Sequence, residues 1–232
     1  MFVLAMVAQK GGSGKSTMAI HLAVEGHHRG LKTLVIDIDT QASAAKIMDR
    51  RGDAPPDVTT EAAGRLEKAV QAARSAGYDF VVVDTAPQAD RAAAQAARVA
   101  DLVVSPVQPS IMDLDAVDAT IDVCKLANAP MLFALNRVPV QGQEITGTVD
   151  AIRKRGVPVS SVRWGERKAF RYPFMKGLTA QEVEPGSKAA SEVKALFNAM
   201  RIPAVTPAQR DDGAHVCMKA GAQSRMNPDT KV

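Results

Sequence analysis

Nine consecutive residues, Gln9-Lys10-Gly11-Gly12-Ser13-Gly14-Lys15-Ser16-Thr17, have the make-up of a phosphate cradle. The glycines let successive backbone N–H groups turn inward on an anion. A helix start after them adds the positive end of its dipole. In that pattern Lys15 reaches the β- and γ-phosphates of a nucleotide and the Ser16 hydroxyl binds Mg²⁺. Two further acidic sites fit the same chemistry. Asp37-Ile38-Asp39 follows one apolar run, and Asp84 ends Phe80-Val81-Val82-Val83-Asp84. An apolar run closing on an aspartate is suited to holding Mg²⁺ through water, because this ion keeps several of its waters. Attack on a γ-phosphate needs a held water and a metal to absorb charge.

These residues must be positioned by the elements between them. Phe2–Ala8 reads as a buried strand ahead of the loop, and Met18–His28 as a helix behind it. Further strands are expected over 31–38, 78–84, 102–107, 131–136 and 157–162. Helices are expected over 60–76, 89–99, 112–126 and 146–155. Arg51–Val58, with Pro55-Pro56, reads as a loop. Alternation of this kind builds an α/β fold, a doubly wound and mostly parallel sheet flanked by helices. Ligands then sit at the carboxyl ends of the strands. The loop, Asp37, Asp39, Asp84 and Asn136 all fall at such ends.

The loop departs from the general pattern by having Gln9 where glycine is usual, and by adding Lys10. A second lysine at the head of the loop marks the deviant Walker A class of P-loop NTPase. On this loop, Asp37-Ile38-Asp39-Thr40-Gln41 and the Walker B strand, the chain resembles the ParA-type partition ATPases of the ParA/MinD superfamily. Thr40 stands where that family has proline. The resemblance covers about residues 1–200, as a single ATPase domain over 1–202. It looks like the short plasmid-style subtype, since no helix-turn-helix precedes the loop. What it implies is ATP hydrolysis with Mg²⁺ as cofactor. Gly11, Gly12, Ser13, Gly14, Lys15, Ser16 and Thr17 would bind ATP, and Asn136 would contact adenine. Ser16, Asp37 and Asp84 would serve the metal, and Asp39 would orient the attacking water. Lys10 would cross a two-fold axis to the partner's nucleotide in a sandwich dimer. Thr85-Ala86-Pro87 resembles the family's switch-like segment, and 104–110 its dimer contacts. For Asn136, a turn-forming role is the competing reading.

Composition narrows the setting. The chain has 232 residues, net charge +4 and two cysteines, which suits one α/β domain and a reducing cytoplasm. No apolar run approaches the roughly 20 residues of a membrane span. The four histidines have no ligand spacing and read as surface or internally satisfied groups. Residues 153–176 carry eight basic side chains against Glu166 alone, interleaved with Trp164, Phe170, Tyr172 and Phe174. Such a run is either a solvated face or a DNA-backbone surface, and the aromatics read mainly as core or interface anchors. With the resemblance, non-specific DNA binding is expected through Arg163, Arg167, Lys168 and Arg171. A ParB-like adaptor and nucleoid association are expected with it, and no membrane contact. Two alternatives use the same engine: a MinD-like membrane-surface ATPase, or positioning of a non-DNA cargo. A MinD-like protein would need a terminal basic amphipathic helix, which 225–232 does not supply. An iron-protein-like reductase would need cluster cysteines, and Cys124 stands alone. Residues 203–232 are polar and proline-containing and read as a weakly ordered tail.

Overall fold

Among the described residues seven strands form one sheet, and every pairing in it is parallel. The structure, a computed structural model, describes residues 1–87 and 90–202; the expected tail, with His215 and Cys217, lies outside them. The strands are β1 Phe2–Met6, β2 Thr33–Asp37, β3 Asp57–Thr60, β4 Phe80–Asp84, β5 Leu102–Val107, β6 Met131–Val138 and β7 Val159–Gly165. Their order across the sheet is β3-β2-β4-β1-β5-β6-β7. The helices are α1 Lys15–His28, α2 Ser43–Met48, α3 Leu66–Ser75, α4 Asp90–Val99, α5 Ile111–Leu126, α6 Glu144–Arg153, α7 Ala180–Val183 and α8 Lys188–Ala199.

The central strands are apolar on both faces because both faces are covered. Leu4, Met6, Phe80 and Val82 pack with Met18, Leu22 and Phe197 on one side. The alternate residues Val3, Ala5, Val81 and Val83 pack with Leu66, Val70 and Ala96 on the other. A third cluster joins Phe133 and Leu135 of β6 to Val117, Ile121, Val149 and Ile152 of α5 and α6. Helix α1 is buried almost all round, and Gly26 explains how closely it approaches β4. A Cβ there would lie 2.6 Å from Phe80 Cδ1.

One strand escapes the sequence pattern. The segment Asp57–Thr60 lies across the expected loop and the start of the helix expected from Thr60, yet it forms β3, in register with Leu34–Asp37. It is short, polar and at the sheet edge, so no apolar alternation announces it. A 3₁₀ turn over Ala63–Arg65 then delays α3 to Leu66. The last strand is also displaced, from the expected 157–162 to Val159–Gly165. That shift puts Trp164 inside the strand, where it is fully buried and stacks on Phe170 with centroids 4.6 Å apart.

Candidate nucleotide site

The carboxyl ends of β1, β2, β4 and β6 converge on the glycine loop. Gly12 and Gly14 take positive φ values of 74° and 106°, which lets the backbone turn tightly and enter α1 at Lys15. Lys15 is buried, and its Nζ donates to the carbonyl of Ala8 at 3.1 Å. Burial pulls its pKa below the usual lysine value, opposed by the charges of Asp84 and Asp39.

The three aspartates play different parts. Asp37 Oδ1 accepts the N–H of Asp39 at 2.9 Å, and its Oδ2 accepts the N–H of Ala45 at 3.0 Å. It therefore shapes the β2–α2 turn, and burial raises its pKa against those two bonds. Asp39, half-buried, accepts the N–H of Gln41 at 2.8 Å. Asp84 is fully buried, and neither of its oxygens has a hydrogen-bond partner among the described residues. Burial pushes its pKa up to about 7; the Ser16 hydroxyl, near enough to interact with the carboxylate though outside good hydrogen-bond geometry, and the charge of Lys15 oppose this, while Asp37 and Asp39 reinforce it. A carboxylate orphaned in this way, beside a hydroxyl and the lysine of a phosphate loop, is chemically matched to Mg²⁺. Among the described residues no group of three or more ligating side chains holds a metal by itself. Mg²⁺ in nucleotide sites is commonly held by one or two carboxylates together with substrate phosphates.

Several contacts fix the loop from outside. Gln108, just past β5, donates to the Gly12 carbonyl at 2.9 Å. Asn136 of β6 donates to the Ser13 carbonyl at 2.7 Å. Gln9 donates to Asp90, the first residue of α4, at 2.7 Å, and Thr85 donates to the Met6 carbonyl at 2.8 Å. Lys10 is half-buried at the head of the loop. Asn136 thus lies against the loop, and adenine contact by it remains an expectation.

Beside the loop a shallow open cleft is walled by Gly14, Asn136, Arg137, Arg167, Phe170 and Arg171. The cleft brings part of the basic segment to the nucleotide side of the molecule. Of the four residues expected to meet DNA, Arg163, Lys168 and Arg171 are exposed. Arg167 is half-buried and paired with Glu192, Nη2 to Oε1 2.6 Å. Three of the four aromatics are core: Trp164, Phe170 and Phe174 surround the buried His21. Tyr172 is 62% exposed. His21 is satisfied as expected, with Nδ1 2.8 Å from the Thr17 carbonyl and Nε2 accepting the Ala180 N–H at 3.2 Å.

Sequence reasoning did not single out Gln108, Arg137 or Glu192. Gln108 lies within the segment 104–110, which resembles the family's dimer contacts and by sequence carries no chemistry of its own. Arg137 shows itself only through its backbone, a non-glycine residue at φ 50° beside the cleft.

Comparison with known proteins agrees with this geometry. The model of the CobQ/CobB/MinD/ParA nucleotide binding domain matches residues 4–172. Protein ParA of Rhizobium radiobacter is 27% identical over 220 residues, covering 87% of this chain and 96% of that protein. Maintenance of carboxysome distribution protein A of Halothiobacillus neapolitanus is 29% identical over 211 residues, covering 85% and 95%. The solved septum site-determining protein MinD of Pyrococcus horikoshii, complexed with Mg-ADP, superposes with a TM-score of 0.71 at 21% identity, covering 86% of this chain and 95% of that one. A phosphate loop at the end of β1, an orphaned aspartate at the end of β4 and a family match across both place this chain in the CobQ/CobB/MinD/ParA family of nucleotide-binding domains.

Proposed function

We propose that this chain is an Mg²⁺-dependent ATPase of the partition type, whose ATP-bound dimer rides on non-specific DNA and is released by hydrolysis. The observation that carries the ATPase reading is Asp84, buried and unpartnered beside Ser16 and Lys15 at the mouth of the loop. Mg²⁺, held there through Ser16 and Asp84, would supply charge neutralisation at the β- and γ-phosphates. The inward N–H groups of 11–16 bind and orient the phosphates, and Lys15 leaves the Ala8 carbonyl to meet them. Asp39, half-exposed at the edge of the site, is the residue to orient the attacking water. Lys10 supplies its charge to the partner's nucleotide across a two-fold axis.

The partition reading rests on the relatives' names and on the exposed basic residues of 163–176. Lys168 and Arg171 are the DNA contacts favoured by their exposure, and Arg163 extends them along β7. Arg167 is better suited to bracing the cleft, because Glu192 neutralises it. The hydrolysis trigger is a ParB-like adaptor, and the setting is the nucleoid-bearing cytoplasm. Among the described residues no helix is long and apolar enough to cross a membrane. A second reading keeps the engine and changes the cargo: one relative is named for carboxysome distribution.

Retention on non-specific duplex DNA, with ATP or ADP and at two salt concentrations, tests the proposal. Retention with ATP only, weakened by salt and by Lys168→Glu with Arg171→Glu, supports it. No retention in any nucleotide state, with hydrolysis intact, would leave an ATPase without a DNA track and favour the protein-cargo reading.

A further inference from the structure

We infer that Gln108 and Asn136 are a paired brace that holds the phosphate loop in its anion-binding shape before nucleotide arrives. The inference rests on the nucleotide-binding reading of the site. A cradle with its N–H groups turned inward must turn carbonyls outward, and outward carbonyls near a protein core need donors. Three successive loop carbonyls have them. Gly14 O accepts the N–H of Met18 at 2.9 Å, the first bond of α1. Ser13 O, in the interior, accepts Asn136 Nδ2 at 2.7 Å, and Gly12 O, at the exposed edge of the loop, accepts Gln108 Nε2 at 2.9 Å.

The two amides come from neighbouring strand ends. The sheet register pairs Val107 with Leu135, so Gln108 and Asn136 are the next step along β5 and β6. Their fit to the loop is also steric. A Cβ on Gly14 would lie 2.1 Å from Asn136 Nδ2, so the amide fills the space that glycine leaves. The residue type matters. An amide donates without carrying charge, so it cannot draw the phosphates out of the cradle as a lysine would. A carboxylate would set an acceptor against the Gly12 carbonyl and a negative charge beside the phosphates. Fixing the loop in advance removes an ordering cost from nucleotide binding.

Titration calorimetry with Mg-ADP and Mg-ATPγS, together with melting of the nucleotide-free protein, tests the brace. Gln108→Ala is expected to weaken both nucleotides alike, by about fivefold to tenfold, the effect of one lost hydrogen bond. Gln108→Glu, nearly the same shape, is expected to weaken them more, with the melting temperature close to wild type. A role in stability alone would lower the melting temperature and leave both affinities unchanged. Wild-type affinity in both variants would overturn the brace while leaving the nucleotide site in place. Wild-type protein that binds neither nucleotide would overturn the nucleotide reading, and the brace with it.

Discussion

Asp37 and Asp84 are register partners at the carboxyl ends of β2 and β4, yet they are bonded in opposite ways. Asp37 gives both oxygens to backbone N–H groups. Asp84, one strand over and fully buried, has neither oxygen partnered among the described residues. Adjacent carboxylates raise each other's cost of ionisation, and Asp37 adds to the upward shift of Asp84. One aspartate is therefore tied into the β2–α2 turn, and the other faces the loop with neither oxygen held by a backbone N–H.

Asp84→Asn keeps the shape and removes the charge. The nucleotide-free variant is expected to melt no lower than wild type, since a buried unpaired polar group costs about 1–3 kcal/mol. Mg²⁺ should no longer strengthen ADP binding. Melting curves in EDTA and in Mg²⁺, with and without ADP, check both halves. A variant less stable in EDTA that still binds Mg-ADP normally would show Asp84 to be structural.

Lys10→Ala separates binding from turnover. ADP affinity is expected to stay within about twofold, because Lys15 and the loop N–H groups hold the phosphates. Hydrolysis should fall by about 10³-fold, the low end for a cation supplied in trans, and ATP-driven dimerisation should be lost. Light scattering alongside a phosphate-release assay reads both. A variant that dimerises on ATP and hydrolyses it at the wild-type rate would remove Lys10 from the mechanism.

Gly14→Ala is expected to weaken nucleotide binding by about tenfold or more. The left-handed backbone costs a side chain about 1–2 kcal/mol, and its Cβ would run into the Asn136 amide. Calorimetry with Mg-ADP measures it, and unchanged affinity would mean that the loop rearranges freely.

His21 predicts acid sensitivity. Burial lowers its pKa to about 4, against the pull of the Thr17 carbonyl and Glu182. The unfolded chain therefore takes up the proton first as pH falls. Its contribution to stability is present above about pH 6.5 and is lost as pH falls towards 4. By pH 4.5 the loss should reach about 2–3 kcal/mol. Urea unfolding of wild type and His21→Gln across this range checks the sign: the variant should be the less stable at pH 8 and show the flatter profile. Parallel profiles would show that His21 does not carry the slope.

The amino-acid sequence by itself determined the chemistry-bearing loop, the acidic strand ends and the alternating α/β order. Each of these is written locally: glycines and a lysine in nine residues, or a run such as Phe80–Asp84 whose two faces are both apolar. The sequence did not announce β3, because a short polar edge strand forms only when β2 offers it hydrogen bonds. Nor could it show that Asp37 is bonded and Asp84 is not, since their local sequences are alike and only their neighbours across the chain differ. The basic segment likewise divided in space, with Arg167 drawn to Glu192 at the cleft wall and Lys168 left to solvent. The partners of Gly12 and Ser13, Gln108 and Asn136, lie 96 and 123 residues away. Side-chain types are legible in one dimension, but which donor meets which acceptor depends on strand order, and strand order exists only once the sheet has folded.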